Sequence, residues 1–338
     1  MKSDRHIGLD IIRACAILFV LSVHFFLNTK FYETPITNMN MYIQTFIRMG
    51  CIMCVPLFLT LTGYLQRNKL PNRSYFKKII PILVVYLFYS ILCIFFRVTI
   101  AKEKGNFLFW ISAIENFTAD PYSWYIQLYI GLFLLSPFLN LIYNNLITKK
   151  QKIGLIFIVL IMTSFPAFFN GRFNDLLHFP TSWRAIYPVS YYFIGCYISE
   201  YKPKVRKLHG ILLLLLVIGL ETMLEVYGSS GNGNKFSTYI GEYDSLLILI
   251  QAVIFFVTVY DLNIKNSIVT KIISLISILS LDIYLVSCLT DKVVYKTLLK
   301  YFYTSQEKIL LLFIPAVFST FFLAFSVSAI RHKIIQVR

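Results

Sequence analysis

The chain has 338 residues, 57% of them hydrophobic and only 14% charged, with a formal net charge of +16. Apolar stretches recur from end to end, which excludes a soluble domain of this length and indicates a polytopic membrane protein. The basic residues sit in short clusters between the apolar runs, so the positive charge reads as topogenic and nucleic acid is not an expected partner.

Ten transmembrane helices are expected, at roughly 7–28, 45–66, 79–99, 123–146, 153–169, 184–200, 209–227, 243–260, 272–290 and 308–330, each about 17–25 residues long. Between the fifth and sixth, residues Asn170 to Ser182 are amphipathic and fit the interface. The segments "RNKLPNRSYFKK", "TKKQK", "YKPKVRK", "NIKNSIVTK" and "RHKIIQVR" are short and basic, as is the N-terminus. The positive-inside rule puts them, and both termini, in the cytoplasm. The opposite loops hold most of the acids: Glu33, Glu103, Glu115, Asp120, Asp175, Asp291 and Glu307. Residues 1–338 are therefore expected to form one all-α membrane domain, a single bundle in the plasma or inner membrane, in contact with lipid. The loops at 100–122 and 228–242 are too short for a core, and the second, Gly- and Ser-rich, reads as a flexible outer turn. No sequence repeat is evident. Asp10 and Arg13 interrupt the first apolar run, which also lacks a cleavage site, so no signal peptide is expected.

That first run, "RHIGLDIIRACAILFVLSVHFF", is the most informative stretch. An ionisable group within a span costs about 2.5–3.5 kcal/mol on insertion scales and usually faces a bundle interior or a water-filled cavity. Arg13 and His24 are eleven residues apart, which is three helical turns plus roughly 20°, so they share a face about 16 Å apart along the axis. Asp10 is one turn before Arg13 and close enough to pair with it. Arg5 lies near the same stripe at the cytoplasmic mouth. An anion held by Arg5 and Arg13 would have a path up the helix to His24, and a neutral imidazole in a dry pocket is a plausible general base. The bland reading of His24 is a histidine bonded to a neighbouring helix. His6, His209, His332 and His178 read as solvated or headgroup-level residues.

Further along, Arg48 falls near the outer part of the second span, where it would line a cavity. Trp124, Trp183, Tyr122, Tyr187, Tyr191 and Tyr192 flank the expected interfaces, as an aromatic belt or as sugar-stacking groups. Glu221 and Glu225 are one turn apart, and interfacial solvation is the simpler reading. Glu242 and Asp244 follow the outer loop, within reach of a sugar. All six cysteines fall in expected spans. "CIMC" at 51–54 has metal-like spacing but no second ligand pair nearby, so no metal is expected and the cysteines read as apolar filler.

The motif Asp10, Arg13, His24 resembles the opening helix of the acyltransferase-3 family of integral membrane acyltransferases, in which an Arg is followed after ten residues by a His. Further matches follow in chain order. "VPLFLTLTGYL" (55–65) is similar to the family's second-helix motif, with Thr62 in place of Ser. "WYIQLYIGLFLLSPFL" (124–139), "YYFIGCYIS" (191–199) and "LSLDIYLVSCL" (279–289) resemble later helices. Two positions depart from the pattern: Ser287 and Ser123 stand where many members have His. Asp282, one turn before Ser287, is an extra acid that either replaces the missing group in part or pairs with a cation such as Arg48.

The resemblance implies a transferase that moves an acetyl or other short acyl group from cytoplasmic acyl-CoA to a hydroxyl of a surface or exported glycan. In that reading His24 deprotonates the acceptor or carries the acyl group, Arg13 holds a CoA phosphate or orients the thioester, and Asp10 fixes Arg13. Arg5, Arg13 and Arg48 would bind acetyl-CoA, helped by Arg67, Lys69, Arg73, Lys77 and Lys78. Trp124, Tyr125, Asp282 and Glu242 would contact a glycan or lipid-linked saccharide. No fused soluble transferase domain is expected after the tenth span, so a homo-oligomer or a separate periplasmic or extracellular transferase is the remaining partner expectation. The competing reading is a transporter or flippase of a lipid-linked or polymeric glycan, against which stand the lack of an internal half-repeat and of a span broken by paired Gly or Pro.

Overall fold

The computed structural model describes residues 6–170 and 179–334; Arg5, Asp175 and His178 lie outside the described residues. Among the described residues thirteen α-helices follow one another: α1 Ile7–Leu27, α2 Met39–Cys51, α3 Cys54–Gln66, α4 Arg73–Phe76, α5 Ile80–Thr99, α6 Phe107–Glu115, α7 Trp124–Asn145, α8 Lys149–Phe169, α9 Tyr187–Tyr201, α10 Lys207–Ser229, α11 Leu246–Val259, α12 Ser267–Tyr301 and α13 Phe313–Ile334. Among the described residues the fold is all-helical, apart from one isolated β-bridge between Pro35 and Lys235. Local signals explain many of the starts. Thr148 and Gln151 form a reciprocal capping box at α8, and Asn38, Asn106 and Asn266 accept backbone N–H bonds at the starts of α2, α6 and α12.

Among the described residues eight helical stretches are long and apolar enough to cross a membrane: α1, α2 with α3, α4 with α5, α7, α8, α10, α12 and α13. The chain is a multi-pass membrane protein. Two of the ten expected spans are shorter, α9 with 15 residues and α11 with 14. Helix α1 runs parallel to α12, because Asp10 meets Ser274 and Ser277 while His24 meets Asp291 further along both helices. Parallel packing requires that α9 and α11 either both cross or both stop short.

The second span is not one continuous helix. It breaks at Ile52 and Met53, where Pro56 removes the N–H that would have bonded back to Ile52. Gln251 of α11 donates to the carbonyls of Met49 and Gly50 at 3.0 and 3.1 Å, so these groups at the break are not left bare in an apolar setting.

Helices α3 and α9 pack closely through glycines that sit in two of the sequence motifs. A Cβ at Gly63 would lie 2.0 Å from the Tyr192 carbonyl oxygen, and one at Gly195 would lie 2.0 Å from that of Thr60. A separate polar lock ties α5, α12 and α13. Arg331 contacts Asp282 at 2.6 Å, and Tyr89 donates to the same carboxylate at 3.0 Å. Asp282 thus pairs with Arg331 rather than Arg48, since α13 and not α2 packs against that face of α12.

Three other expectations are corrected. Asp120 and Asp291 are fully buried rather than solvated in loops. Glu221 and Glu225 are likewise buried, because α10 turns this face to α2 and the 228–242 loop. That loop is anchored, not a free turn: Glu225 accepts the backbone N–H groups of Tyr239, Ile240 and Gly241, and Phe236 is buried.

Gly195→Ala is expected to cost about 1–3 kcal/mol through overpacking. Thermal unfolding of the detergent-purified protein should show a lowered midpoint, whereas Gly154→Ala, with nothing within 4 Å of the added methyl, should not.

Candidate active site

Helix α1 carries the polar stripe, and α12 supplies partners at both ends of it. At the N-terminal end, the Ser277 hydroxyl accepts from Arg13 Nη1 at 2.9 Å and donates to Asp10 Oδ1 at 2.6 Å. Ser274 donates to Asp10 Oδ2 at 3.0 Å. Asp10 and Arg13 are therefore joined through a serine of α12 that no sequence pattern singles out.

His24 lies in the last turn of α1, three turns beyond Arg13, and is 6% exposed. Its Nδ1 is 3.0 Å from Asp291 Oδ2, and Ser287 Oγ is 3.5 Å from the same nitrogen. Ser287 and Asp291 are one turn apart on one face of α12, so both reach the ring. The Tyr122 ring stacks on the imidazole, with centroids 3.8 Å apart, and its hydroxyl donates to Asp291 Oδ2 at 3.0 Å. Asn28 donates to the Tyr122 hydroxyl at 3.1 Å and to the His24 carbonyl at 2.9 Å. Burial, with the charge of Asp291 adding to it, pushes the Tyr122 phenol up, so Tyr122 serves as a donor and not as a base. With Nδ1–H directed to the carboxylate, Nε2 is left as the acceptor nitrogen of the ring. It has no hydrogen-bond partner among the described residues.

Two cavities lie along α1, and His24 and Asp291 line neither of them. The first, about 200 Å³, is lined by Arg13, Val20, Phe58, Gln66, Tyr125 and Tyr284. Val20 is one turn before His24. Tyr125 and Tyr284 meet edge to face at 5.7 Å, and the Tyr284 hydroxyl donates to the backbone carbonyl of Tyr122. Tyr284 thus links the wall of the first cavity to Tyr122, the residue stacked on the imidazole. The second cavity, about 350 Å³ and more open, is lined by Val23, Leu27, Arg48, Tyr187, Tyr243 and Asp244, with Glu242 also at its wall. Val23 and Leu27 flank His24 in α1. Trp124 stacks on Tyr243 at 5.5 Å. Arg184 contacts Asp244 at 2.5 Å and also pairs with Glu242. Arg48 donates to the Gly241 carbonyl at 3.1 Å and lies over the Phe236 ring at 4.4 Å.

The structure thus divides the expected site residues. His24 forms the dyad. Arg13 and Tyr125 belong to the first cavity, Arg48 and Glu242 to the second, and Trp124 backs the second through Tyr243. Arg48 does not share a cavity with Arg13, since α2 brings it to the opposite end of α1. Asp282 lines neither cavity, being committed to Arg331 and Tyr89. Asp291, Asn28 and Tyr284 were not expected at the site, and Tyr122, read as a belt or sugar-stacking aromatic, stacks on His24 instead. Asp291 follows the apolar run "IYLVSCLT" and looked like the start of a loop, but α12 continues for ten further residues.

The profile of a family described as an acyltransferase domain matches residues 6–330, nearly the whole chain. The chain belongs to the acyltransferase-3 family. It is a membrane acyltransferase. No curated protein and no solved structure matches it individually. In this family member, the partner of the first-helix histidine is Asp291, one turn beyond the serine that stands where many members have a second histidine.

Asp291→Asn keeps the size of the side chain but removes the charge that stabilises an imidazolium. It is expected to lower acyl transfer by about a hundred- to ten-thousandfold without loss of the protein from the membrane fraction, read by turnover of purified variant and parent.

Proposed function

We propose that the protein transfers an acetyl or other short acyl group from cytoplasmic acyl-CoA to a hydroxyl of a cell-surface or exported glycan. The observation that carries this reading is the buried His24–Asp291 dyad, with α1 neighbours on one side lining a cavity that holds the Arg13 cation and α1 neighbours on the other lining a cavity walled by aromatic, acidic and guanidinium groups.

Acyl-CoA is a phosphate-bearing nucleotide with a long thin arm ending in a thioester. Its phosphates suit the basic residues at the N-terminal end of the bundle: Arg13 in the cavity, and Lys69 and Lys78 at an adjoining cavity beside the end of α3. The arm fits a narrow, mostly apolar channel towards His24. In this reading Tyr125 and Tyr284 shift aside for the thioester to arrive. In the second cavity Tyr187 and Tyr243 offer faces for a sugar ring, and Glu242, Asp244 and Arg48 offer hydrogen bonds to its hydroxyls.

His24 Nε2 takes the proton of the acceptor hydroxyl as its oxygen attacks the thioester carbonyl. Asp291 stabilises the resulting imidazolium through Nδ1–H. As the tetrahedral intermediate collapses, the C–S bond breaks and His24 returns the proton to the departing thiolate. The products are an ester and free CoA. The proposed site in the cell is the plasma or inner membrane, with the first cavity open to the cytoplasm. Nothing observed favours translocation of a glycan over its acylation.

Two substitutions separate chemistry from donor binding. His24→Ala is expected to abolish acetylation of surface glycans, measured by mass spectrometry of glycans from cells that retain the inserted protein; full acetylation in that variant would sink the role given to His24. Arg13→Gln should instead raise KM for acetyl-CoA by about tenfold or more, the loss of one charge-assisted contact, with a smaller effect on kcat.

A further inference from the structure

Behind Tyr122, three side chains converge from distant parts of the chain. Cys93 comes from α5, Asp120 from the turn before α7, and Cys288 from α12. All three are buried, and their donor atoms lie within 4.8 Å of one another. One oxygen of Asp120, Oδ1, accepts the Tyr122 backbone N–H at 2.8 Å. The other, Oδ2, is buried with no hydrogen-bond partner among the described residues, and Asp120 as a whole is 0% exposed. A buried carboxylate oxygen left in that state costs on the order of 1–3 kcal/mol or more, and a cation is one way to satisfy it.

We propose that Cys93, Asp120 and Cys288 bind one zinc ion, at a structural site that holds Tyr122 against His24. Two thiolates and a carboxylate are a donor set suited to a borderline-soft divalent ion. Zinc takes sulfur at about 2.3 Å and carboxylate oxygen at about 2.0–2.2 Å, so a tetrahedral site sets its donors roughly 3.5–3.8 Å apart. Three groups already within 4.8 Å reach that arrangement by small side-chain movements. Binding forms two Zn–S bonds and one Zn–O bond, releases the two thiol protons to solvent, and leaves a fourth position for water. The three anionic ligands outweigh the ion by one charge, and Lys292, one turn after Cys288, is the neighbouring cation that offsets it.

The consequence for the site is positional. Asp120 fixes the backbone of Tyr122, whose ring stacks on His24 and whose hydroxyl holds Asp291. Cys288 is adjacent to Ser287 and one turn from Asp291 on α12. An ion at this point would clamp α5, α12 and the α7 entry together behind the dyad. The inference does not rest on the acyl-transfer reading, because metal content is measured without turnover.

The test uses the full-length protein, purified in detergent without chelator and incubated with zinc, then freed of loose metal by desalting. Elemental mass spectrometry should find about one zinc per chain. Cys93→Ser and Cys288→Ser should each reduce it to background, and Cys15→Ser, outside the cluster, should not. Cobalt-loaded wild type should show thiolate-to-cobalt charge-transfer absorption, which keeps the test decisive if either variant fails to fold. Absence of zinc from folded wild type would overturn the proposal. So would equal zinc in wild type and a folded Cys93→Ser variant, or an intact mass two hydrogens light that maps to a Cys93–Cys288 disulfide.

Discussion

Asp291 is a carboxylate inside a helix bundle, and a charge in that position is tolerated only when it is paired and hydrogen-bonded. Its partners are His24 Nδ1 and the Tyr122 hydroxyl, both at 3.0 Å from Oδ2. That contact fixes the register of α1 against α12, the tautomer of the imidazole and the position of the ring stacked on it. Removing one partner of such a buried pair typically costs about 3–5 kcal/mol, so the requirements of folding and of chemistry converge on the same atoms. The second contact between the two helices, Asp10 and Arg13 with Ser277, repeats the arrangement three turns away. Together they leave α1 with a cation at one end and an imidazole at the other, a wall of the first cavity between them and a wall of the second beside the imidazole.

The remainder of the bundle serves this axis. Glycines 63 and 195 let α3 and α9 approach at backbone distance, which sets the wall of α3 that carries Phe58 and Gln66 into the first cavity. The break between α2 and α3 turns Arg48 and Ile52 towards the second cavity, and Gln251 makes the break tolerable in an apolar setting. Glu225 anchors residues 239–241, whose last carbonyl receives Arg48. In each case a polar residue that is expensive in a membrane is used to hold backbone that is not helical or to aim a cation at a cavity.

The sequence was most legible where helical periodicity operates. The Arg13–His24 spacing placed both on one face, and α12 contacts that face at both ends. Apolar length identified the long spans, and it also placed helices at 184–200 and 243–260, where α9 and α11 form with 15 and 14 residues, below the usual spanning length. Buried acids were the main failure. Asp291 and Asp120 adjoin apolar runs at their edges, and Glu221 and Glu225 sit near a helix end, so sequence position alone assigned them to water. Their partners are hundreds of residues away in the chain for Asp291 and Asp10, and no local pattern announces such a pairing. Asp282 was recognised as anomalous, yet its partner Arg331 looked like part of a topogenic cluster. The Cys93, Asp120 and Cys288 grouping was equally hidden, since its members share no spacing.

The central claim is that donor and acceptor reach His24 from opposite ends of α1, and sided reconstitution tests it most directly. Proteoliposomes of purified protein in known orientation would receive labelled acetyl-CoA on one side and a glycan acceptor on the other. Labelled acetyl ester should form only when the donor faces the basic, N-terminal end of the bundle and the acceptor faces the opposite end. Equal transfer with both substrates confined to one side, or transfer with the sides exchanged, would contradict the account.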